Sequence, residues 1–150
     1  MRKNNNFLFF IIAFIVLTPL FWFMSYQDGK HAEKELLKIN LSKLDNYHRG
    51  VYYSKELKFD SALKYYQLAC KDSNKFAFYN LGMMYYHGQG VKKDLFKSFE
   101  YIKTGAYLND SVSQYWLGMC YLHGLGTDTN LKEYDYWINE SSKNGYKYNE

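Results

Sequence analysis

Few side chains here have the types that do chemistry, and their spacing assigns them no reaction. The histidines are His31, His48, His87 and His123. His87 and His123 invite a metal, because each stands immediately before a Gly-x-Gly turn. They fall one thirty-six-residue period apart, roughly 10 Å if one helical hairpin separates them. No carboxylate sits at ligand spacing from either, and a place at a helix C-terminus accounts for both. Cys70 and Cys120 are fifty residues apart with no Cys-x-x-Cys pair. A disulfide and a pair of small buried apolar side chains both stay open for them. Gly88-Gln89-Gly90 follows a helical stretch and not a strand, so it reads as a turn and not as a phosphate cradle. No Gly-x-Ser-x-Gly, His-Glu-x-x-His or P-loop occurs. Asp94, Glu100 and Glu133 read as caps and solvated faces. The expectation is a protein that is not an enzyme, with no cofactor, metal or small-molecule substrate.

Composition narrows the class further. The chain has 150 residues, 47% of them hydrophobic and 21% aromatic, which is enough for a packed core and too much for a disordered chain. The formal charge is +4, of which Arg2 and Lys3 contribute two; the remainder is near neutral, with lysines and acids interspersed. No basic stripe of the kind that binds nucleic acid is present. The abundance of Asn, Lys, Tyr and Phe is what an AT-rich bacterial genome produces.

The elements that must position these residues are set by an internal repeat. Residues 76–87, FAFYNLGMMYYH, return thirty-six positions later as 112–123, VSQYWLGMCYLH. Leu81-Gly82-Met83 aligns with Leu117-Gly118-Met119, His87-Gly88-x-Gly90 with His123-Gly124-x-Gly126, and Asp94 with Asn130. Each unit reads as helix A over 75–87 or 110–123, a glycine turn, and helix B over 94–107 or 130–143. Asp94 and Asn130 suit N-caps, and Gly88 and Gly90 suit the left-handed positions that stop a helix. A glycine inside a helix costs about 1 kcal/mol relative to alanine. Its recurrence at Gly82 and Gly118 therefore points to a close approach by helix B, with small Ser98 facing Gly82. Upstream, Gly50, Tyr53, Ala62, Tyr66 and Ala69 fall at the spacing of a plain tetratricopeptide unit with a shorter turn. Leu37, Leu41 and Leu44 make the run from Lys30 to Leu44 read as a helix, either a connecting helix within a linker over 25–44 or the start of the repeat array.

At these residues the chain resembles the Sel-1-like repeat family, a branch of the tetratricopeptide superfamily. Phe78-x-x-Leu81-Gly82-x-x-Tyr85, Gly88-Gln89-Gly90-Val91 and Asp94-x-x-x-Ser98 carry the family pattern. The last unit departs from it: Thr127 replaces the valine, and Tyr134 stands where a small residue is expected. That substitution should loosen the A–B contact or mark a terminal unit. The resemblance implies an all-α fold, a short right-handed solenoid of helical hairpins. The implied boundaries are 45–73 for a degenerate tetratricopeptide-like repeat, 74–109 and 110–145 for Sel-1-like repeats, and 146–150 for a tail. It also implies binding work as a scaffold or adaptor, with an unknown protein or peptide as partner. An alternative it implies is an immunity protein that neutralises a secreted toxin such as a lipase effector. The β-lactamase activity attributed to cysteine-rich members goes with regular cysteine pairs that are missing here.

In such an architecture helix A lines the concave face. Positions not needed for A–B packing are Phe76, Tyr79, Met83, Tyr86 and His87 in one unit. Val112, Tyr115, Met119, Leu122 and His123 are their counterparts in the next, with Tyr47 and Val51 in the first. They form either an aromatic and methionine-rich groove for a peptide or helix, or a stripe that neighbouring repeats bury. Phe78, Leu81, Tyr85, Leu117 and Tyr121 fall opposite and are expected in the core.

The N-terminus carries a separate signal. Residues 1–6 hold Arg2 and Lys3, and residues 7–24 carry no charge. As a helix these eighteen residues reach about 27 Å, enough for a hydrocarbon core. No small-residue pair marks a cleavage site near 21–26, so a transmembrane signal anchor is favoured over a cleaved signal peptide and a soluble periplasmic protein. Arg2 and Lys3 place the N-terminus in the cytoplasm and the repeats in the periplasm or exterior, attached to the inner membrane. Lys30, Lys34, Lys38 and Lys43 pull the other way.

Overall fold

The computed structural model describes residues 26–38 and 40–147. The expected membrane segment at 7–24, its charged lead at 1–6 and the end of the tail at 148–150 lie outside them. The chain divides into two units, Met1–Lys43 and Leu44–Glu150. In the first, residues 26–38 and 40–42 are helical and mostly exposed. Lys38 pairs with Glu35 at 2.6 Å, and Lys30 Nζ lies 4.6 Å from the Tyr26 ring centroid. No helix among the described residues is long and apolar enough to cross a membrane.

The second unit is an all-α solenoid of three helical hairpins. Helices α1 (Asn46–Lys55) and α2 (Phe59–Lys71) form the first, α3 (Lys75–His87) and α4 (Leu95–Tyr107) the second, α5 (Ser111–His123) and α6 (Leu131–Lys143) the third. Described residues contain no strand. Side-chain caps set the starts of α4, α5 and α6: Asp94 accepts from Lys97 N, Asp110 from Ser113 N, and Asn130 from Lys132 N and Glu133 N. Gly88 and Gly124, at φ 73° and 67°, close α3 and α5 in the left-handed conformation.

Each core lies between repeats. Ala62, Tyr66 and Ala69 of α2 bury against Ala77, Leu81 and Met84 of α3. One period on, Phe99, Ile102 and Ala106 of α4 bury against Leu117 and Cys120 of α5, with Trp137 of α6. A hairpin here cannot cover its own apolar side, so neighbours stabilise one another. Of the residues expected in the core, Leu81 and Leu117 are fully buried, while Phe78, Tyr85 and Tyr121 are half-buried.

Within each hairpin a glycine on helix A meets a large side chain on helix B. A Cβ on Gly50 would stand 2.6 Å from Tyr66 ring atoms, and one on Gly82 would stand 2.7 Å from Ile102 Cγ1. Ser98 contributes only its carbonyl, 3.1 Å from that Cβ position, so the expected partner of Gly82 is joined by Ile102. In the third hairpin the distances open to 3.1 Å for Ile138 and 3.4 Å for the Tyr134 carbonyl. At this contact Tyr134, like Ser98, contributes only its carbonyl.

The second turn glycine does more than reverse the chain. Gly90 (φ 68°) seats its backbone on Phe59, where a Cβ would come 2.9 Å from the Phe59 carbonyl carbon. Gly126 (φ 76°) seats likewise on Leu95, with 2.6 Å to the carbonyl carbon. Phe59 and Leu95 open helix B of the preceding repeat in both cases.

Gly90→Ala should cost about 3 kcal/mol, the sum of a left-handed alanine and backbone overpacking. Gly145, at φ 87° with nothing within 4 Å of its Cβ position, carries only the first penalty, so Gly145→Ala should cost about 1 kcal/mol. Urea-unfolding midpoints of the two variants check the difference; equal losses would show that the seat on Phe59 contributes nothing.

Candidate functional site

The side chains singled out on helix A divide into three groups by what covers them. The first joins α1 to α3. The Tyr47 ring lies 5.9 Å from that of Phe76 and 6.3 Å from that of Tyr66. Phe76 is 47% exposed, the most open of the aromatic positions in the proposed groove. Lys75 Nζ stands 5.3 Å from its ring centroid and donates to the Asn109 carbonyl at 3.1 Å. Val51 packs against the first core.

The second group is Tyr79, Met83 and Tyr86. The Trp116 ring packs against Tyr79 at 6.4 Å and against Tyr86 at 6.3 Å. Met83 packs against the second core. Burial raises the Tyr79 phenol pKa, and the nearby Tyr146 hydroxyl adds to the shift. These three residues therefore face α5 rather than line an open concavity. Trp116 was not among the expected groove residues, because helix-A periodicity alone does not say which neighbour a ring will meet.

The third group is Tyr115, Met119 and Leu122, the one-repeat translates of the second. They open into a cavity of about 470 Å³ shared with Tyr134, Ile138, Ser141 and Ser142 of α6 and with Tyr146 of the tail. The Tyr146 ring stacks on Tyr115 at 4.7 Å. The α6 residues were outside the expected site. The signal that would have found them is Tyr134 itself, a large residue at the position that is small in the other two hairpins.

Tyr79, Tyr86, Tyr115 and Met119 are all half-buried. The stripe is thus not sealed by the chain. His87 and His123 are exposed at the ends of α3 and α5, and the His87 ring meets Tyr86 edge-on at 4.9 Å. Among the described residues no group of three His, Cys, Asp or Glu side chains could hold a metal. Cys70 and Cys120 are free thiols. Burial pushes their pKa values up, to about 12 and about 11. Cys70 borders a second cavity of about 450 Å³ between α2 and α4, with Lys64, Gln67 and Tyr101.

Comparison with known proteins gives a uniform result. The family model for the Sel1 repeat matches three stretches, 39–74, 77–110 and 111–133. The first overlaps the hairpin expected to be a plain tetratricopeptide unit. A Sel1 repeat protein from Oxalobacter formigenes is similar at 33% identity, with a TM-score of 0.56, over 58% of this chain and 35% of that one. A protective antigen of uropathogenic Escherichia coli displaying an SLR fold shares the fold at 24% identity, with a TM-score of 0.59, over 66% of this chain and 24% of that one. The chain thus spans about a third of the first protein and a quarter of the second. No curated protein matches the chain.

At pH 8 an ordinary thiol is about a quarter thiolate, whereas groups at the raised values are ionised to ~0.1% or less. Iodoacetamide should modify neither cysteine until the chain is unfolded, and then both. The folded thiols bind protons more tightly than the unfolded ones. Their stabilisation is therefore complete below about pH 8.5 and is lost as the pH climbs toward 11 and 12. Urea midpoints across that range should fall, and midpoints that hold steady would contradict the burial. Separately, Trp116→Ala should cost about 2 kcal/mol, below the fully buried range because the ring is half-exposed. It should also open Tyr79 and Tyr86 to solvent, read as faster tyrosine iodination at those two positions.

Proposed function

The chain belongs to the Sel1 repeat family, and on that premise we propose that it is a membrane-anchored interaction module of the bacterial envelope. The family is in general a non-enzymatic protein-interaction module, and no catalytic constellation stands in the sequence. The observation that carries the reading is the Tyr47–Phe76 pair. Two rings from neighbouring hairpins stand 5.9 Å apart with Phe76 47% exposed and Lys75 beside it. Rigid aromatic rings give contact area at small entropy loss, and a flanking cation gives orientation. The partner is a protein or peptide whose apolar side chain fits between the rings. The tether rests on the uncharged run at 7–24 behind Arg2 and Lys3.

Two measurements test this. Full-length protein carrying a C-terminal affinity tag should capture a defined partner from detergent-solubilised membranes. Phe76→Ala should lower that capture at least tenfold while leaving the unfolding free energy, from urea titration, within about 0.5 kcal/mol of the parent, as expected for an exposed ring. Unchanged capture would remove the pair as the contact. Alkaline phosphatase fused after Glu150 should be active and a cytoplasmic fluorophore there dark; the reverse pattern would put the repeats on the cytoplasmic side. Capture of a secreted toxin, with growth protection on co-expression, would make the interaction one of immunity.

A further inference from the structure

The two interfaces between hairpins use the same positions but are filled differently between their B helices. Lys64, Gln67, Cys70 and Lys71 of α2 correspond, one thirty-six-residue period on, to Glu100, Lys103, Ala106 and Tyr107 of α4. Across from them, Tyr101 of α4 corresponds to Trp137 of α6.

In the second interface the chain supplies both an aromatic ring and a carboxylate. The Tyr107 ring, though itself exposed, packs edge-on against Trp137 at 5.1 Å. Glu100 pairs with Lys103 at 3.9 Å. Ala106, Leu117 and Trp137 are buried there. The first interface has neither group at those positions. Lys71 replaces the tyrosine, Lys64 replaces the glutamate, and the smaller Tyr101 ring stacks on Tyr85 at 5.4 Å. Cys70 and Tyr101 are accordingly half-buried. With Leu68 and Leu81 they border the cavity of about 450 Å³, a volume in the range of small-molecule pockets.

That cavity is lined by two cations and no acid. Lys64, Gln67 and Lys71 follow one another at three and four residues, so a single face of α2 carries them along the opening. Both lysines are exposed, and among the described residues neither forms an ion pair. Lys64 approaches only the Tyr65 ring, 6.0 Å from its centroid. The single acid of α2, Asp60, borders a different cavity at the start of the helix. Asp72, next to Lys71, accepts from Asn46 at 2.8 Å.

We propose that the cavity between α2 and α4 binds a small aromatic acid. Its ring enters where Tyr107 stands one interface later and lies against Leu68, Leu81 and Tyr101. Its carboxylate stays at the mouth and meets Lys71 and Lys64, with the Gln67 amide between them. The ring supplies the apolar cover that the first interface lacks, and the lysines supply charge-assisted hydrogen bonds. The site lies on the B helices and uses neither Tyr47 nor Phe76, so it stands apart from the protein-interaction reading.

The probe is 4-fluorophenylacetate, followed by fluorine NMR with the full-length protein in detergent micelles and protein-free micelles as blank. Saturable line broadening is expected. The neutral analogue 4-fluorophenylethanol should bind at least fivefold more weakly. Two substitutions copy the second interface. Lys71→Tyr should abolish binding while leaving the urea midpoint unchanged or higher, and Lys64→Glu, at an exposed position, should weaken it at least tenfold. Phe76→Ala should leave it unchanged. No broadening beyond the blank with the parent protein would overturn the proposal. Undiminished binding to either folded variant would overturn it too, by putting the ligand elsewhere. Equal binding of acid and alcohol would remove the lysines as its basis. A peptide ending in 4-fluorophenylalanine that binds where the free acid does not would overturn it in favour of a protein partner. If the probe fails while partner capture through Phe76 persists, the interaction-module reading stands and only this cavity is withdrawn.

Discussion

Everything in the repeat unit depends on one backbone-to-backbone contact, the seating of a turn glycine on the first residue of the preceding helix B. Gly90 on Phe59 and Gly126 on Leu95 leave no room for a Cβ. Side chains relax when crowded, but two peptide backbones at this distance cannot slide without opening a void or a clash. The contact therefore sets the register between hairpins as well as their separation. Because that register repeats, Trp116 arrives over Tyr79 and Tyr86, and Ser113 arrives over Gly105.

A solenoid built this way uses up its own surface. Each hairpin presents an apolar side that the next hairpin covers, so the aromatic stripe along the A helices is partly structural glue. Tyr79, Met83 and Tyr86 belong to that glue. What stays available is the seam where Tyr47 and Phe76 meet; in the third hairpin the equivalent residues border a cavity closed in part by Tyr146. Surface ion pairs such as Lys143–Glu140 and Lys38–Glu35 are exposed and contribute little to stability. Among described residues every buried side-chain polar atom has a partner. Gln114, for example, donates to Ala106 and accepts from Asn144 at 2.9 Å.

Much of this was readable from residue order, because repetition supplies its own control. Gly82 and Gly118 are costly within a helix, and their recurrence could only mean a close neighbour. The caps at Asp94 and Asn130 were readable because capping is local: a carboxylate or amide oxygen reaches an amide two or three residues ahead. The partner of Gly82 was less clear, since Ile102 reaches it from one turn beyond Ser98. The continuity of the groove was less clear still. Exposure of Tyr79 depends on Trp116, thirty-seven positions away, and no periodicity within α3 reports on it.

Local and periodic information thus determined the helices, their caps, the hairpin pairing and the family, since each follows from contacts within a few residues or from one repeated offset. Tertiary structure alone decided which members of a periodic stripe are covered and which stay open. Coverage is a property of what the neighbouring hairpin places overhead. Two residues with the same position in the repeat, Tyr79 under Trp116 and Tyr115 under Tyr146, have different surroundings because a helix of the next hairpin covers one and the stretch after α6 covers the other.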